Sequence, residues 1–320
     1  MSFGFQPVVA TALAGIAGIL IVASVLIALL RNKLPEALKI ELVQRVKSWW
    51  VMAAVFAVAI LVGDVVSLVF FALLSFLALK EYLSLIPTRR ADRRVIFWAY
   101  LAIPLQFIVI GFGWYGVFII FVPVYVFLLL PFRMVLAGET QNFVRAVGTL
   151  QWGLMAMVFA IGHLAYLLVL PDEINPGVGS VGLVLYLVFL TQFNDVSQFV
   201  WGKLLGKRKV VPSVSPGKTV AGLVGGVATT VVLAWTLGPW LTPMTWWQSL
   251  IAGGIIGVAG FAGDVTISAL KRDLGVKDTG SLLPGHGGML DRVDSLIFTA
   301  PLFFHYMWFL YYSPTAQGLL

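Results

Sequence analysis

Long apolar runs constrain this chain before anything else does. Several reach or exceed the roughly 18 to 20 residues an α-helix needs to cross a hydrocarbon core about 30 Å thick. Only 11% of the 320 residues are charged and 60% are hydrophobic, whereas soluble domains carry roughly 25% charged residues. Water cannot be the main solvent of such a chain, and an all-α, polytopic integral membrane protein is expected. Polar or Gly/Pro-containing breaks divide the apolar stretches into helices near 8–30, 46–63, 65–83, 95–112, 115–132, 149–170, 181–202, 219–237, 248–263 and 296–312, about ten crossings.

The least obvious division is that of Trp49 to Leu79, too long for one perpendicular span at about 1.5 Å per residue. Basic residues flank it on both sides: Arg31, Lys33, Lys39, Arg45 and Lys47 before, Lys80, Arg89, Arg90, Arg93 and Arg94 after. The positive-inside rule requires an even number of crossings between them, which a hairpin turning at Gly63-Asp64 supplies. All 21 Lys and Arg then fall on one side, the expected cytoplasmic side of a bacterial inner membrane. Both termini are expected on the other. The first run, Pro7 to Leu30, has no preceding basic residue and is expected to be retained and not cleaved as a signal peptide. The formal net charge of +7 therefore reports cytoplasmic loops and anionic headgroups, not nucleic acid. No cysteine is present, which excludes disulfides and thiolate chemistry, and three histidines leave little room for a His-based metal site. The chain shows no internal repeat or linker; residues 1–180 are expected to form N-terminal transmembrane helices and 181–320 a C-terminal catalytic region.

The polar segment from Asp264 to Ser295 holds five of the fourteen acids and four of the 21 bases. A loop that merely adheres to anionic lipid would be one-sidedly basic; mixed carboxylates, Lys, Arg and Gly suit a site that holds a divalent cation together with phosphates. If the helix beginning near Gln248 continues to about Leu274, then Asp264, Ser268 and Lys271 line one face and Gly275 ends it. Beyond the turn Pro284-Gly285-His286-Gly287-Gly288, Asp291 and Asp294 fall three apart and share a face if the last helix starts there. Glycine backbone lets phosphate approach N–H groups, and nearby carboxylates can hold Mg²⁺ on the same phosphates, so a nucleoside triphosphate site without a P-loop is expected.

The spacing of Ser268, Lys271-Arg272, Lys277-Asp278, Gly280, Leu283-Pro284, His286-Gly287-Gly288, Asp291-Arg292 and Asp294 resembles the characteristic motif of the phosphatidate cytidylyltransferases, or CDP-diacylglycerol synthases. Asp195, Phe199, Gly202-Lys203, Gly206-Lys207, Ser215-Pro216, Lys218-Thr219 and Gly222 fit that family's second polar region. The resemblance covers Asp195 to Ser295; residues before Val181 match only as membrane helices. It implies reaction of CTP with phosphatidic acid, or a related lipid phosphate, to give CDP-diacylglycerol and pyrophosphate, with Mg²⁺ as cofactor, alone or with a second cation. By the same resemblance Asp264 and Asp291 are expected metal ligands, with Asp294 a further candidate; Lys271, Arg272, Lys277 and Arg292 bind phosphates and His286 donates to pyrophosphate. Ser215 to Thr219 holds the triphosphate or the lipid headgroup. Membrane lipids and a second copy of the chain are the remaining expected partners.

Two departures from the family pattern lie outside the metal motif: Gly217 stands where a second lysine is common, and Val196-Ser197-Gln198 replaces small residues after Asp195. They leave the acceptor more open than the cytidylyl chemistry. Rival expectations are a CTP-dependent polyprenol kinase and a non-catalytic transporter or lipid-binding homologue, in which intramembrane Asp195 would be an ion site. An ionised acid at Asp195 needs a partner, such as Lys203, Lys218 or a metal. His163 and His305 are expected to be isolated packing residues, and Gly222/Gly226 and Gly253/Gly257 to permit close helix contact.

Overall fold

The computed structural model describes residues 6–30, 35–87, 93–138, 140–280 and 287–313. Among them ten helices are long and apolar enough to span a membrane. They are α1 (Pro7–Leu30), α2 (Glu36–Val62), α3 (Asp64–Leu85), α4 (Arg93–Gly111), α5 (Tyr115–Val135), α6 (Phe143–Val169), α7 (Gly179–Leu205), α8 (Val220–Leu241), α9 (Trp246–Asp273) and α10 (Leu290–Tyr312). No strand is found among the described residues, only one isolated bridge between Lys209 and Thr219. The chain is an integral membrane protein of all-α architecture.

The hairpin expected at Gly63-Asp64 is present. Gly63 alone separates α2 from α3, with φ 139°, a conformation that favours glycine. Ser67 Oγ donates to Ala59 O at 2.8 Å across the turn, and the Phe56 and Phe70 rings meet at 6.4 Å. Helix α2 begins ten residues earlier than its apolar stretch, because Glu36 pairs with Lys39 and Glu41 with Arg45 along one turn each and carry the helix beyond the apolar zone. Helix α9 continues to Asp273 and is closed by Gly275 at φ 69°, whose neighbour Val276 donates its N–H to Lys271 O at 2.9 Å.

The interior is divided. Around α6, the first half of α7 and α10, the core is apolar: Leu154, Met157, Ala165, Leu183, Tyr186, Phe303 and Phe304 are almost wholly withdrawn from solvent. His163 and His305 lie here, not isolated as expected but with rings 5.1 Å apart inside an aromatic cage, and His163 Nδ1 pairs with Phe159 O at 2.8 Å. The second half of α7 is different, turning buried Thr191, Asn194, Ser197 and Gln198 towards α8, α9 and α10.

Those four helices approach so closely because glycines line their contacts. A Cβ on Gly226 would lie 2.3 Å from Gln198 Cγ, and one on Gly253 2.8 Å from Val231 Cα. Both small-residue pairs seen in the sequence therefore sit at helix crossings. On α9, a Cβ on Gly263 would lie 2.3 Å from Asp294 O, and one on Gly260 2.8 Å from Asn194 Nδ2. Hydrogen in place of a side chain thus seats the start of α10 against α9 and α7.

Candidate active site

Two clusters of charge form at this end of the bundle. The first occupies the junction of α7, α9 and α10. Ser295 Oγ lies 3.0 Å from Asp195 Oδ2 and 3.1 Å from Gly260 O, and its single proton can serve one of them at a time. Asp264 accepts a hydrogen bond from Ser268 Oγ at 3.3 Å and forms an ion pair with Lys218, which reaches in from the segment joining α7 to α8. The Lys218 ammonium also donates to Gln198 Oε1 at 3.0 Å. Gln198, a departure from the family pattern, thus gains a definite role: its carbonyl helps seat Lys218. Asp294 Oδ1 accepts from the Ser295 N–H at 2.7 Å.

Asp195, Asp264 and Asp294 lie close enough to repel one another. Lys218 is the cation paired directly with this group, and Arg292 acts on it from nearby. Asp195 Oδ1 is buried without a hydrogen-bond partner among the described residues. An acceptor withdrawn from water and left unpaired is costly unless something else occupies it. The neighbouring polar groups of α7 are satisfied: Asn194 donates to Gly257 O at 3.1 Å and accepts from Thr230 Oγ1 at 3.0 Å, and Thr191 and Thr299 hydroxyls meet at 3.0 Å. Gln198 Nε2, on the same helix, is by contrast buried without a partner among the described residues, so unmet demand near Asp195 comes from an acceptor and a donor alike.

The second cluster surrounds Asp291. Its Oδ1 takes the Lys271 ammonium at 2.6 Å; its Oδ2 accepts from Thr279 N at 3.0 Å, Thr279 Oγ1 at 2.9 Å and Gly288 N at 3.1 Å. With only 6% of its side chain exposed, Asp291 ties the end of α9 to the turn that leads into α10. Asp291 and Asp294 were expected to share a face. They sit about 60° apart around the helix, and that rotation sends one to Thr279 and Gly288 and the other to Asp195 and Asp264. Asp264 and Lys271, expected on one edge of α9, likewise address different clusters.

The other expected site residues are scattered around these two. Ser215 and Thr219 flank Lys218: Ser215 O accepts the Lys218 N–H at 3.1 Å, and buried Thr219 caps α8, its Oγ1 accepting from Gly222 N at 3.0 Å. Arg272 turns away and donates from Nε to Val214 O at 3.1 Å, pinning that same segment to α9. Lys277 is exposed, and Arg292 is half-buried with its Nε unpartnered among the described residues. Lys203 lies over the Phe199 ring at 5.7 Å, so of the two lysines considered for Asp195 it is Lys218 that acts on it. His286 lies outside the described residues. Gly217 is exposed, with open space where its Cβ would be.

Among the described residues no group of three acidic, histidine or cysteine side chains is spaced to hold a metal ion unaided. Mg²⁺ commonly binds through one or two carboxylates, completing its shell with substrate phosphates and water. Against that requirement the first cluster fits: hard oxygen donors, excess negative charge and one buried oxygen left without a partner. Asp291 already holds four donors.

Sequence reasoning missed Ser295, Thr279 and, most of all, Glu81. From the end of α3, Glu81 Oε2 accepts from Met289 N at 2.6 Å and Leu290 N at 3.2 Å, over more than two hundred residues of chain. Its one sequence signal is an acid beside the core-facing Leu79 and Tyr82 at the basic end of a span.

The model of the Cytidylyltransferase family matches residues 43–310. The chain is 47% identical over 295 residues to an uncharacterized protein of Escherichia coli, YnbB, covering 92% of this chain and 97% of that one. It is 42% identical over 115 residues to a phosphatidate cytidylyltransferase of Synechocystis, covering 35% of this chain and 39% of the relative. With the Haemophilus influenzae phosphatidate cytidylyltransferase it shares 42% identity over 132 residues, 40% of this chain and 46% of the relative. The chain thus spans less than half the length of the curated cytidylyltransferases it matches.

Proposed function

Because the chain belongs to the cytidylyltransferase family, we propose that it transfers the cytidylyl group of CTP to a membrane lipid phosphate, phosphatidic acid first among them, at the cytoplasmic face of a bacterial inner membrane. One observation carries the reading: Asp195, Asp264 and Asp294 converge beside Lys218 with a buried carboxylate oxygen unpaired. The names of the curated relatives add weight to the choice of acceptor. The concentration of basic residues at this end of the bundle supports the cytoplasmic orientation.

In the reaction a lipid phosphate oxygen attacks the α-phosphorus of CTP, a new P–O bond forms, and the bond to the bridging oxygen breaks to release pyrophosphate. The phosphate is already ionised near neutral pH, so the chain need supply no general base; it supplies alignment and charge neutralisation. Asp264 and Asp195 would hold Mg²⁺, with Asp294 adding negative charge beside them, and the ion when bound neutralises charge developing on the phosphoryl oxygens. Lys218 brings an ammonium group to the edge of these acids and Lys271 one to the neighbouring Asp291 cluster, and both would bind phosphate. Asp291 would act here through Lys271, Thr279 and Gly288, keeping the ammonium aimed and the Thr279 and Gly288 N–H groups in place.

Purified protein in lipid nanodiscs with CTP, Mg²⁺ and phosphatidic acid tests this. Label in the α-phosphate of CTP should pass to lipid with release of pyrophosphate, and Asp264→Asn should lower the rate by about a hundredfold or more. Transfer of γ-label alone would establish the lipid-kinase reading instead, and no transfer to any phosphorylated lipid would leave a non-catalytic homologue.

A further inference from the structure

The motifs read from the sequence begin only after Val181, but the family model reaches back to residue 43, and one of the N-terminal helices reaches the motif that carries the chemistry. Glu81 occupies the last turn of α3. The next residue fixes that turn: Tyr82 is buried, its hydroxyl donates to Thr149 O at 2.8 Å, and its ring packs on Gly153, where a Cβ would come within 2.4 Å. Glu81 therefore projects from a rigid element.

Its carboxylate is fitted to the turn before α10. Oε2 accepts two consecutive backbone N–H groups, Met289 at 2.6 Å and Leu290 at 3.2 Å. Oε1 is buried with no hydrogen-bond partner among the described residues. It presses instead on glycine: a Cβ on Gly280 would lie 2.8 Å from it and one on Gly288 only 1.5 Å. Two glycines of the motif are thus required at least in part by a side chain far away in sequence, and both flank the Asp291 anchor.

We propose that Glu81 is a positioning residue for the active site: it holds the backbone from Gly288 to Leu290 so that Asp291 meets Thr279, Gly288 and Lys271, and it makes the N-terminal bundle a structural part of the catalytic end. Glu81 touches no reacting atom in this scheme. It acts through the Gly288 N–H to Asp291 contact and, beyond it, through the Lys271 ammonium. Its effect on turnover rests on the cytidylyl-transfer reading; its hold on the turn does not.

The test compares full-length Glu81→Ala and Glu81→Gln by steady-state kinetics and by amide hydrogen exchange of the peptide containing residues 288–290. Glu81→Ala should lower kcat for cytidylyl transfer by about tenfold to a hundredfold, the scale of a misplacement near 1 Å, and should speed exchange of those amides while peptides from α7 and α8 are unchanged. Glu81→Gln should recover most of both losses, since one amide oxygen can accept both N–H groups. If Glu81→Ala does not accumulate, Glu81→Asp, which retracts the oxygens by one methylene, carries the same expectation. Unchanged exchange, or faster exchange with unchanged kcat, overturns the proposal. If the wild-type protein transfers no cytidylyl group, that reading fails separately, and faster exchange in Glu81→Ala still upholds the hold on the turn.

Discussion

Asp195 and Asp291 are acids of one bundle end, the first on α7 against Ser295 and the second in the first turn of α10, and their surroundings are opposite. Asp291 meets four donors, an ammonium among them, and has no unmet acceptor. Asp195 meets one hydroxyl, lies beside two further carboxylates and keeps a buried oxygen unpaired. Residue type does not distinguish them; the supply of donors does. A carboxylate that is fully bonded holds the fold together, whereas an underbonded one among like charges waits for a ligand, and the resulting strain is offset elsewhere in the fold.

Three substitutions separate these roles. Asp291→Ala should have the largest effect, stranding the partly buried Lys271 ammonium and two backbone N–H groups; a loss of about 3 kcal/mol, the lower end for breaking a buried pair, is expected, visible as a lower unfolding midpoint in detergent together with lost activity. Asp195→Asn should do the reverse. It relieves repulsion and keeps an oxygen for Ser295, so the unfolding midpoint should hold or rise while turnover falls about a hundredfold; a falling midpoint would make Asp195 structural and erase the contrast. Gly217→Lys should have the smallest effect, within about 0.5 kcal/mol in stability because the site is exposed and open. A change in KM for either phosphate substrate, measured across a panel of phosphorylated lipids, would show whether the loop next to Lys218 contributes to acceptor choice.

How much of this was visible in the sequence follows from the range of each interaction. Apolar length and basic flanks marked ten spans and the hairpin at Gly63, because bilayer thickness and loop charge act on contiguous residues. The extension of α2 to Glu36 was hidden, since a polar helix outside the apolar zone leaves no hydropathy signal, only the Glu36–Lys39 and Glu41–Arg45 spacings. Within the candidate site, the acids and lysines could be named from their spacing, but their pairing could not. That Lys218 joins Asp264, Lys271 joins Asp291, and Glu81 joins Met289 depends on how helices distant in sequence come together.

The glycine contacts of α9 also have a mechanical meaning. Where helices touch through hydrogen, little compliant side chain lies between them, and a roll or slide of α9 against α8 or α10 drives backbone atoms into one another at Gly253, Gly257 and Gly263. The four helices therefore behave as a stiff frame. The segment carrying Lys218 is tied to that frame, to α9 by Arg272 and to α7 by Gln198, so the Lys218 ammonium is held at a fixed reach from the acids.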